Sequence, residues 1–312
     1  MKPTQQDLID CATRIEPYIH HTPVLTSSTV NQLAQAEVFF KCENFQKMGA
    51  FKMRGAANAI LQLSEEEKTK GVVTHSSGNF AQAVSLAAKQ QGIKAYIVMP
   101  NNAPIPKRSA VIDYGGEVIE CEPTITAREA AVDRIIEKTG ATALHPSNQM
   151  EVIVGQGTAA MELLEKHPEL NSIITPVGGG GLLGGTALAA HYFSKNCTVV
   201  GAEPEGADDA FRSFAAGEIL GNENPQTVAD GLRTMLGDNN FPIIKEHVEH
   251  ITLVEEKEIL STMCLIWERM KIIIEPSSAV AIAPVLRGEF RGQKVGVIIS
   301  GGNVDLANIP FL

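Results

Sequence analysis

The fold is decided by a stretch that reads IITPVGGGGLLGGTALAAH from residue 173 to residue 191. A short apolar run, four consecutive glycines and an Ala/Leu-rich run predict a strand over 173–177, a loop, and a helix over 182–191. A membrane span is the alternative, because His191 is the one residue between 170 and 194 that could carry a charge near neutral pH. Four adjacent glycines would break a spanning helix at its centre, so we predict the strand, loop and helix and no membrane partner.

The same order of strand, turn and helix recurs along the chain. Predicted pairs of strand and helix lie at 72–74 and 80–91, at 95–99 and 107–113, and at 118–121 and 127–138, with further strands at 199–202 and 295–299. This alternation predicts an α/β fold with parallel sheets covered on both faces and ligand sites at the carboxyl ends of strands. We expect a large domain of residues 1–70 and 149–312, interrupted by a small domain of residues 71–148 that closes over the substrate.

Composition excludes several classes of protein. The chain of 312 residues has 36 acidic and 26 basic residues and no dense Lys/Arg run, so we expect no nucleic-acid partner. Its five cysteines lie at least 31 residues apart, which fits neither a disulfide framework nor a zinc knuckle and indicates a reducing compartment. Residues 1–17 have the pattern of an amphipathic helix and not of a secretion signal, so we expect a cytoplasmic protein.

Two turns that follow predicted strands are candidate anion sites. The turn from Ser76 to Asn79 opens a helix, where free amide groups and the helix dipole attract a carboxylate or a phosphate. An ordinary helix cap also explains these residues, and on this segment alone the cap is the favoured interpretation. The loop from Gly178 to Gly181 would let several amides converge on one phosphate, and tight packing is the rival explanation. This loop lacks both the Lys-Ser/Thr ending of an ATPase loop and the spaced glycines of a dinucleotide fold.

Lys52 is the candidate nucleophile. It lies between apolar neighbours, Phe51 and Met53, at the start of a predicted Ala-rich helix. Burial disfavours the ammonium form, so a desolvated lysine becomes an amine nucleophile and base of the kind that Schiff-base chemistry requires. Most lysines are solvated surface residues, and the functional interpretation depends on the two anion turns.

Two further loops carry polar side chains. Ser300 follows the predicted strand at 295–299, where its hydroxyl could hydrogen-bond a ring nitrogen or simply begin a turn. The acidic loop from Glu203 to Asp209 could supply oxygen ligands to Mg²⁺ or Ca²⁺, although acidic loops are more often only solvated.

Taken together, these motifs resemble those of the fold-type II pyridoxal-phosphate enzymes, within them the serine/threonine dehydratase and serine racemase group. The resemblance runs nearly the full length of the chain. It is carried by the segments Thr22–Leu25, Gly49–Ala56, Thr74–Asn79, Gly155–Thr158, Val177–Gly181, Ala229–Gly231, Trp267–Lys271, Glu275–Pro276 and Ser300–Asp305. It implies a tryptophan synthase β-like fold, in which two three-layer α/β domains are arranged with the smaller inserted in the larger and the larger binding the cofactor.

The resemblance also implies a role for each candidate residue. Lys52 would hold pyridoxal 5'-phosphate as a Schiff base and then act as a base on one face of the substrate Cα, with Ser77 on the other face. The implied cofactor-binding residues are Lys52, Phe51, Asn79, Gly178, Gly179, Gly180, Gly181, Glu275 and Ser300. The implied substrate-binding residues are Ser76, Ser77, Gly78 and Asn79. Glu203, the Ala207 carbonyl and Asp209 match the family's site for a divalent cation, which would be Mg²⁺, Ca²⁺ or Mn²⁺.

The implied reaction is β-elimination of serine, threonine or 3-hydroxyaspartate to an oxo acid and ammonia. Members with alanine in place of Ser77 resemble pure dehydratases, so a serine here makes racemisation chemically possible. A neutral serine at position 300 would not enforce protonation of the cofactor ring. Two alternatives remain open: a β-replacement synthase of the cysteine or tryptophan type, and a non-enzymatic sensor of amino acids.

Three positions depart from the racemase pattern, in which other residue types occupy the places of Phe80, Met48 and Ser147. The residues that fall where racemases build an intersubunit ATP site are Ser27, Ser28, Thr29, Lys47, Gln82, Tyr114, Lys271 and Asn303. Because Met48 would remove a polar contact there, we expect weak or absent activation by ATP. The resemblance further implies a homodimer, and the seven residues after Asp305 leave no room for a regulatory domain.

Overall fold

The structure is a computed structural model that describes residues 2–309. Its strands are β1 Val24–Leu25, β2 Glu37–Cys42, β3 Val72–His75, β4 Ala95–Pro100, β5 Glu117–Cys121, β6 Thr142–Ala143, β7 Ser172–Pro176, β8 Thr198–Pro204, β9 His250–Val254 and β10 Lys294–Ile299. Its α-helices are α1 Gln5–Ile15, α2 Ser28–Ala34, α3 Lys52–Leu61, α4 Glu65–Lys70, α5 Asn79–Gln90, α6 Ile105–Asp113, α7 Ile125–Thr139, α8 Met150–Lys166, α9 Gly181–Phe193, α10 Asp209–Ala216, α11 Phe241–His247, α12 Glu256–Met270 and α13 Pro276–Leu286. Short 3₁₀ helices include Glu43–Phe45, Glu205–Ala207 and Asp230–Leu232.

The strands form two sheets. One has the order β1-β2-β10-β7-β8-β9 and is parallel except where β1 runs antiparallel to β2. The other has the order β5-β4-β3-β6 and is parallel throughout. The α/β class is therefore confirmed. All four strands of the smaller sheet come from residues 72–143, between β2 and β7 in the chain, while the exact domain limits at 71 and 148 stay a prediction.

The deciding stretch folds as a strand, a loop and a helix. Strand β7 is buried along its whole length, as expected for a parallel strand covered on both faces. Helix α9 begins at Gly181, one residue before the predicted start, so the fourth glycine is already helical. The other predicted strands and the helices that follow them agree with the structure within about two residues at each end, the range over which helix and strand ends fray. The amphipathic pattern of residues 1–17 corresponds to the shorter helix α1, Gln5–Ile15. Among residues 2–309, no helix is both long enough and apolar enough to cross a membrane.

One apolar cluster is shared by the two sheets. It contains Val72 and Ile97 from the smaller sheet and Ile173 and Ile298 from the larger one. Helices α3, α5, α8 and α9 pack against one another in this shared layer. The helix that begins at Lys52 therefore lies between the two sheets.

The outer faces of the sheets have clusters of their own. Ile259 of α12 and Val280 of α13 pack with Val297 against the far face of the larger sheet. Val132 of α7 packs with Val73 against the far face of the smaller sheet. Alternate residues of a strand point to opposite faces, which is why neighbours such as Val72 and Val73 belong to different clusters. Each sheet is thus the middle layer of three.

Candidate active site

Lys52 lies at the start of α3 with its amine turned toward the inter-sheet layer. Its Nζ donates a hydrogen bond to the Pro146 carbonyl at 2.7 Å and lies 4.8 Å from the centre of the Phe51 ring. Burial lowers the pKa of Lys52 to about 8, opposed by the negative charge of Glu275. A neutral amine is therefore accessible near physiological pH, which is what a nucleophilic lysine needs.

The Pro146 carbonyl is presented by a turn that His145 organises. The His145 Nδ1 accepts backbone amides from Ser147 at 3.2 Å and from Asn148 at 2.8 Å. Two donors at Nδ1 require a lone pair there, so the neutral ring carries its proton on Nε2. Desolvation and then neighbouring positive groups lower the pKa of His145 to about 4. The ring next to Lys52 is therefore uncharged at neutral pH.

The glycine loop closes the carboxyl end of β7. Gly178, Gly179 and Gly180 are buried, and in the described part of the chain no protein acceptor is hydrogen-bonded to their amides. Gly180 has a φ of 78°, a left-handed conformation that glycine adopts without strain. Buried amides without partners at the start of a helix suit an anion, and binding of a phosphate by this loop stays a prediction.

Packing also requires these glycines. A Cβ on Gly179 would lie 2.4 Å from Ser147 Oγ, and a Cβ on Gly181 would lie 2.7 Å from Gln156 Oε1. The Asn240 side chain holds the loop by donating to the Gly179 carbonyl at 2.8 Å and to the Ser147 carbonyl at 3.0 Å. Phosphate binding by the amides and tight packing are therefore compatible explanations for the same four glycines.

Asn79 and Glu275 join the two sheet units. Asn79, the first residue of α5, donates through Nδ2 to both Glu275 oxygens at 3.0 and 3.1 Å. Asn303 donates through Nδ2 to Asn79 Oδ1 at 2.9 Å and through its backbone amide to Glu275 at 3.2 Å. Burial raises the pKa of Glu275 to about 7, opposed by the Asn79 hydrogen bond. This network fixes Asn79 beside the loop that ends β10.

Ser300 follows β10 and adjoins the lysine segment through the backbone. The Ser300 carbonyl accepts the Phe51 amide at 2.9 Å, and Ala50 forms an antiparallel bridge with Gly301. The Ser300 hydroxyl is buried and lies 3.1 Å from Ser278 Oγ. Residues 50–52 and 300–301, distant in sequence, are therefore brought together in one place.

The turn before α5 is held by backbone contacts. The Ser76 amide donates to the Val98 carbonyl at 3.2 Å, and Gly78, whose amide donates to Ser76 Oγ at 3.4 Å, occupies the N-cap position. No side chain caps the helix, so the ordinary capping explanation for this turn is not realised. The placement of Ser77 on the face of the substrate opposite Lys52 stays a prediction.

Comparisons with known proteins fit this geometry. The sequence profile described as "Pyridoxal-phosphate dependent enzyme" matches residues 15–301. The chain belongs to this family. Serine racemase of Dictyostelium discoideum is 53% identical, covering 98% of this chain and 96% of that protein. For beta-hydroxyaspartate dehydratase of Paracoccus denitrificans the identity is 46% with 99% of each covered, and for L-threo-3-hydroxyaspartate ammonia-lyase of Saccharomyces cerevisiae it is 44% with 99% and 96% covered.

Two solved structures are similar in fold to this pyridoxal-phosphate enzyme. The crystal structure of the Dictyostelium discoideum serine racemase superposes with a TM-score of 0.93 at 53% identity, covering 97% of this chain and 99% of that chain. The crystal structure of a threonine deaminase from T.th. gives a TM-score of 0.93 at 42% identity, with the same coverage. The fold-type II assignment is therefore confirmed over almost the whole chain.

The donor set of this pyridoxal-phosphate enzyme fits its cofactor. The buried, unpartnered amides of the glycine loop suit a phosphate, and the Lys52 amine suits a Schiff base to an aldehyde. The buried hydroxyl of Ser300 suits a heterocyclic nitrogen.

The acidic loop of this pyridoxal-phosphate enzyme contains two buried carboxylates. Glu203 accepts the backbone amides of Ala210 at 2.9 Å and Phe211 at 2.7 Å, and burial raises its pKa to about 8. Asp209 is buried, its Oδ2 has no hydrogen-bond partner among residues 2–309, and burial raises its pKa to about 6. The backbone of Ala207 is buried in the same turn. An unpartnered carboxylate oxygen fits a cation, while no cluster of three or more acidic, His or Cys ligands occurs among residues 2–309.

Sequence reasoning missed a buried ion network around Arg54 in this pyridoxal-phosphate enzyme. The Arg54 guanidinium donates to both Glu43 oxygens at 2.7 and 2.8 Å and to Glu162 at 2.6 Å. Lys41 also donates to Glu162, at 2.5 Å. Arg54, Lys41 and Glu43 are fully buried. Because Arg54 lies two residues after Lys52, the ion network anchors the start of α3. The sequence indicated this network only through an arginine that stands among apolar neighbours.

Proposed function

We propose that this pyridoxal-phosphate enzyme converts small 3-hydroxy amino acids to oxo acids and ammonia by β-elimination and also interconverts the enantiomers of serine. The observation that carries the proposal is the Lys52 amine with its pKa near 8, on a segment whose backbone is bonded to Ser300. The names of the similar proteins, serine racemase, beta-hydroxyaspartate dehydratase and L-threo-3-hydroxyaspartate ammonia-lyase, support both reactions.

Each part of the cofactor would have its own partner. Lys52 would hold it covalently beside Phe51, and the amides of Gly178 to Gly181 would bind its phosphate. Ser300 would face the ring nitrogen. Asn79 would reach the ring hydroxyl if one N–H of its amide, directed between the two Glu275 oxygens, makes both of those contacts and leaves the other N–H for the cofactor.

When bound, pyridoxal phosphate supplies an electron-withdrawing ring that stabilises negative charge at the substrate Cα. The amides of the Ser76 to Asn79 turn would bind and orient the substrate carboxylate. The Lys52 amine would take the Cα proton on one face, which its lowered pKa permits near neutral pH. The Ser77 hydroxyl would hold or return a proton on the opposite face.

The same proton removal serves both reactions. Loss of the β-hydroxyl after removal of the Cα proton leads to elimination, whereas return of a proton from the opposite face leads to racemisation. Racemisation would thus require Ser77, whereas elimination would require the 3-hydroxyl of the substrate.

A divalent cation, Mg²⁺, Ca²⁺ or Mn²⁺, would bind Glu203, the Ala207 carbonyl and Asp209. The unpartnered Oδ2 of Asp209 supports this, because a buried carboxylate oxygen without a donor is costly unless a cation pairs with it. The loop is an extension of β8, so bound metal would stabilise the large sheet and not enter the reaction.

The enzyme would work in the cytoplasm as a homodimer on free amino acids. Activation by ATP would be weak or absent, because the buried Met48 side chain occupies the place of a polar contact. The Met48 carbonyl is already used, accepting from Asn303 Nδ2 at 2.9 Å.

Product analysis tests the proposed function. The purified enzyme, loaded with pyridoxal phosphate, would be incubated separately with L-serine, L-threonine and both diastereomers of 3-hydroxyaspartate while oxo acid, ammonia and D-amino acid are measured together. We expect oxo acid and ammonia in equal amounts and D-serine from L-serine. Absence of all three products from every substrate would contradict the proposal, and a sulfide-dependent product without ammonia would identify a β-replacement synthase instead.

A further inference from the structure

Ser278 lies directly behind Ser300. It is the third residue of α13 and its side chain is fully buried. Its Oγ lies 2.7 Å from the Gly301 carbonyl oxygen, 2.9 Å from the Gly301 amide nitrogen and 3.1 Å from Ser300 Oγ. Three hydrogen-bond partners therefore surround one hydroxyl.

The single hydroxyl proton of Ser278 fixes which of these three contacts it donates and which it accepts. A serine hydroxyl has one proton and two lone pairs. The Gly301 carbonyl can only accept, so the 2.7 Å contact uses the proton of Ser278, and the Gly301 amide donates to one of its lone pairs. The remaining lone pair of Ser278 accepts from Ser300.

The single proton of Ser300 thus has two competing acceptors, Ser278 and the ring nitrogen of the cofactor. When the proton points to Ser278, Ser300 presents a lone pair, which complements a protonated ring nitrogen. When it points to the ring nitrogen, two hydroxyl oxygens face each other at 3.1 Å without a proton between them, which is unfavourable in a buried place.

We propose that Ser278 is a positioning residue that draws the proton of Ser300 away from the ring nitrogen and so favours the protonated ring. This inference rests on the proposed function, in which Ser300 faces that nitrogen. Serine at position 300 alone leaves the ring state open, and Ser278 biases it. A protonated ring withdraws electrons more strongly, which favours proton exchange at the substrate Cα.

The ¹⁵N chemical shift of cofactor labelled at the ring nitrogen reports the protonation state of that nitrogen directly in the resting holoenzyme. A pH titration of that shift would compare wild type with Ser278→Ala, Ser278→Cys, Ser278→Thr and Ser277→Ala. In Ser278→Ala we expect the protonated-to-unprotonated ratio to fall about two- to tenfold, the range of one hydrogen bond. Ser278→Cys keeps most of the bulk with a weak acceptor and shifts the ratio the same way, whereas Ser278→Thr restores the wild-type ratio.

Ser277→Ala is the matched control, because Ser277 is buried in the same helical turn but its hydroxyl has no hydrogen-bond partner in the part of the chain that the structure describes. An unchanged ratio in Ser278→Ala and Ser278→Cys, or an equal change in Ser277→Ala, overturns the inference. Ser300→Ala separates it from the proposed function. If Ser300→Ala leaves the ¹⁵N shift unchanged, Ser300 does not face the ring nitrogen and that assignment fails as well; if Ser300→Ala moves the shift but the Ser278 variants do not, the Ser278 inference alone fails.

Discussion

At the residue scale, the proposed chemistry depends on how the surroundings of Lys52 change the protonation of its amine. An ordinary lysine with a pKa near 10.4 is less than about 1% neutral at pH 8, whereas Lys52 is about half neutral there. Burial in the inter-sheet layer accounts for the difference, since it penalises the ammonium form. The amine is thus prepared for attack before any ligand binds.

The pH dependence of cofactor attachment tests this state. Because only the neutral amine is nucleophilic, the rate of attachment to unloaded enzyme should rise with pH and level off above about 8. After unloaded enzyme and cofactor are mixed at several pH values, the rate is measured from the rise in visible absorption, at about 410 nm for a Schiff-base cofactor. Lys52→Ala should stay colourless and lose every activity. A rate that keeps rising beyond pH 10 would show an ordinary lysine.

Ser77→Ala should separate the two reactions. Removing the hydroxyl would take away the proposed second proton donor, so formation of D-serine should fall at least about a hundredfold, the contribution typical of a general acid or base. Elimination from L-serine, for which we propose Lys52 alone as the base, should stay within a few-fold. Chiral chromatography of serine and an oxo-acid assay on the same samples measure both. Equal loss of both activities would mean that Ser77 orients the substrate and does not move protons.

At the element scale, the loop between β7 and α9 combines the proposed phosphate site with close packing. Gly179→Ala should destabilise the fold by about 1–3 kcal/mol, because its Cβ would press on Ser147 Oγ, and should weaken cofactor binding. Gly184→Ala in α9 is the matched control: its Cβ would lie no nearer than 3.5 Å to any neighbour, so it should stabilise the helix by about 0.5–1 kcal/mol. Thermal unfolding and cofactor titration measure both quantities.

The double variant Gly179→Ala/Ser147→Gly separates the two functions of the loop. It removes the two nearest atoms that the new Cβ would meet, Oγ and Cβ of Ser147, and leaves Thr234 Oγ1 at 3.1 Å. Most of the lost stability of the unloaded protein should therefore return. If cofactor affinity also returns in full, the glycine matters for packing alone. If affinity stays low, the methyl group itself obstructs the phosphate.

Individual elements were predictable from the sequence because their signals are local. Four glycines between a β-branched run and an Ala/Leu run are enough to predict β7 and α9. The order of strands is not local: β10 lies between β2 and β7, an arrangement set by burial of whole faces. Side-chain partners are equally distant, since Arg54 meets Glu162 across 108 residues of chain. Asn240, which holds the glycine loop, had no sequence signal for the same reason.

At the scale of the whole molecule, two three-layer units share one apolar cluster, with Lys52 at the start of a helix in that layer. Strands β7, β8 and β10 are parallel, so their carboxyl ends lie at one edge of the large sheet. The glycine loop, the acidic loop and Ser300 therefore all follow strands at that edge. One arrangement of the backbone positions both the proposed cofactor site and the proposed cation site.

Cation removal should lower the stability of the whole molecule, and more so at higher pH. The pKa of Glu203 is raised from 4.5 to about 8 in the folded protein, so the stability it contributes is present below about pH 4.5 and is lost as pH rises through about 8. A divalent cation would replace the lost proton. The difference in Tm between Mg²⁺ and EDTA should therefore be larger at pH 8 than at pH 6.

Two variants accompany this measurement. Asp209→Asn should remove the dependence of Tm on Mg²⁺, whereas Glu205→Gln, at an exposed position of the same loop, should retain it. A Tm that does not respond to EDTA at pH 8 would mean that the loop is simply an acidic turn.

The ion network around Arg54 has a consequence for heating. The cost of burying charged groups falls as temperature rises, because their hydration becomes less favourable, while the stabilisation from apolar burial levels off. The contacts of Arg54 with Glu43 and Glu162 should therefore weaken less on warming than the apolar layer around them. On warming, the ion network that anchors the lysine helix would therefore lose less of its stabilising effect than the apolar contacts that surround it.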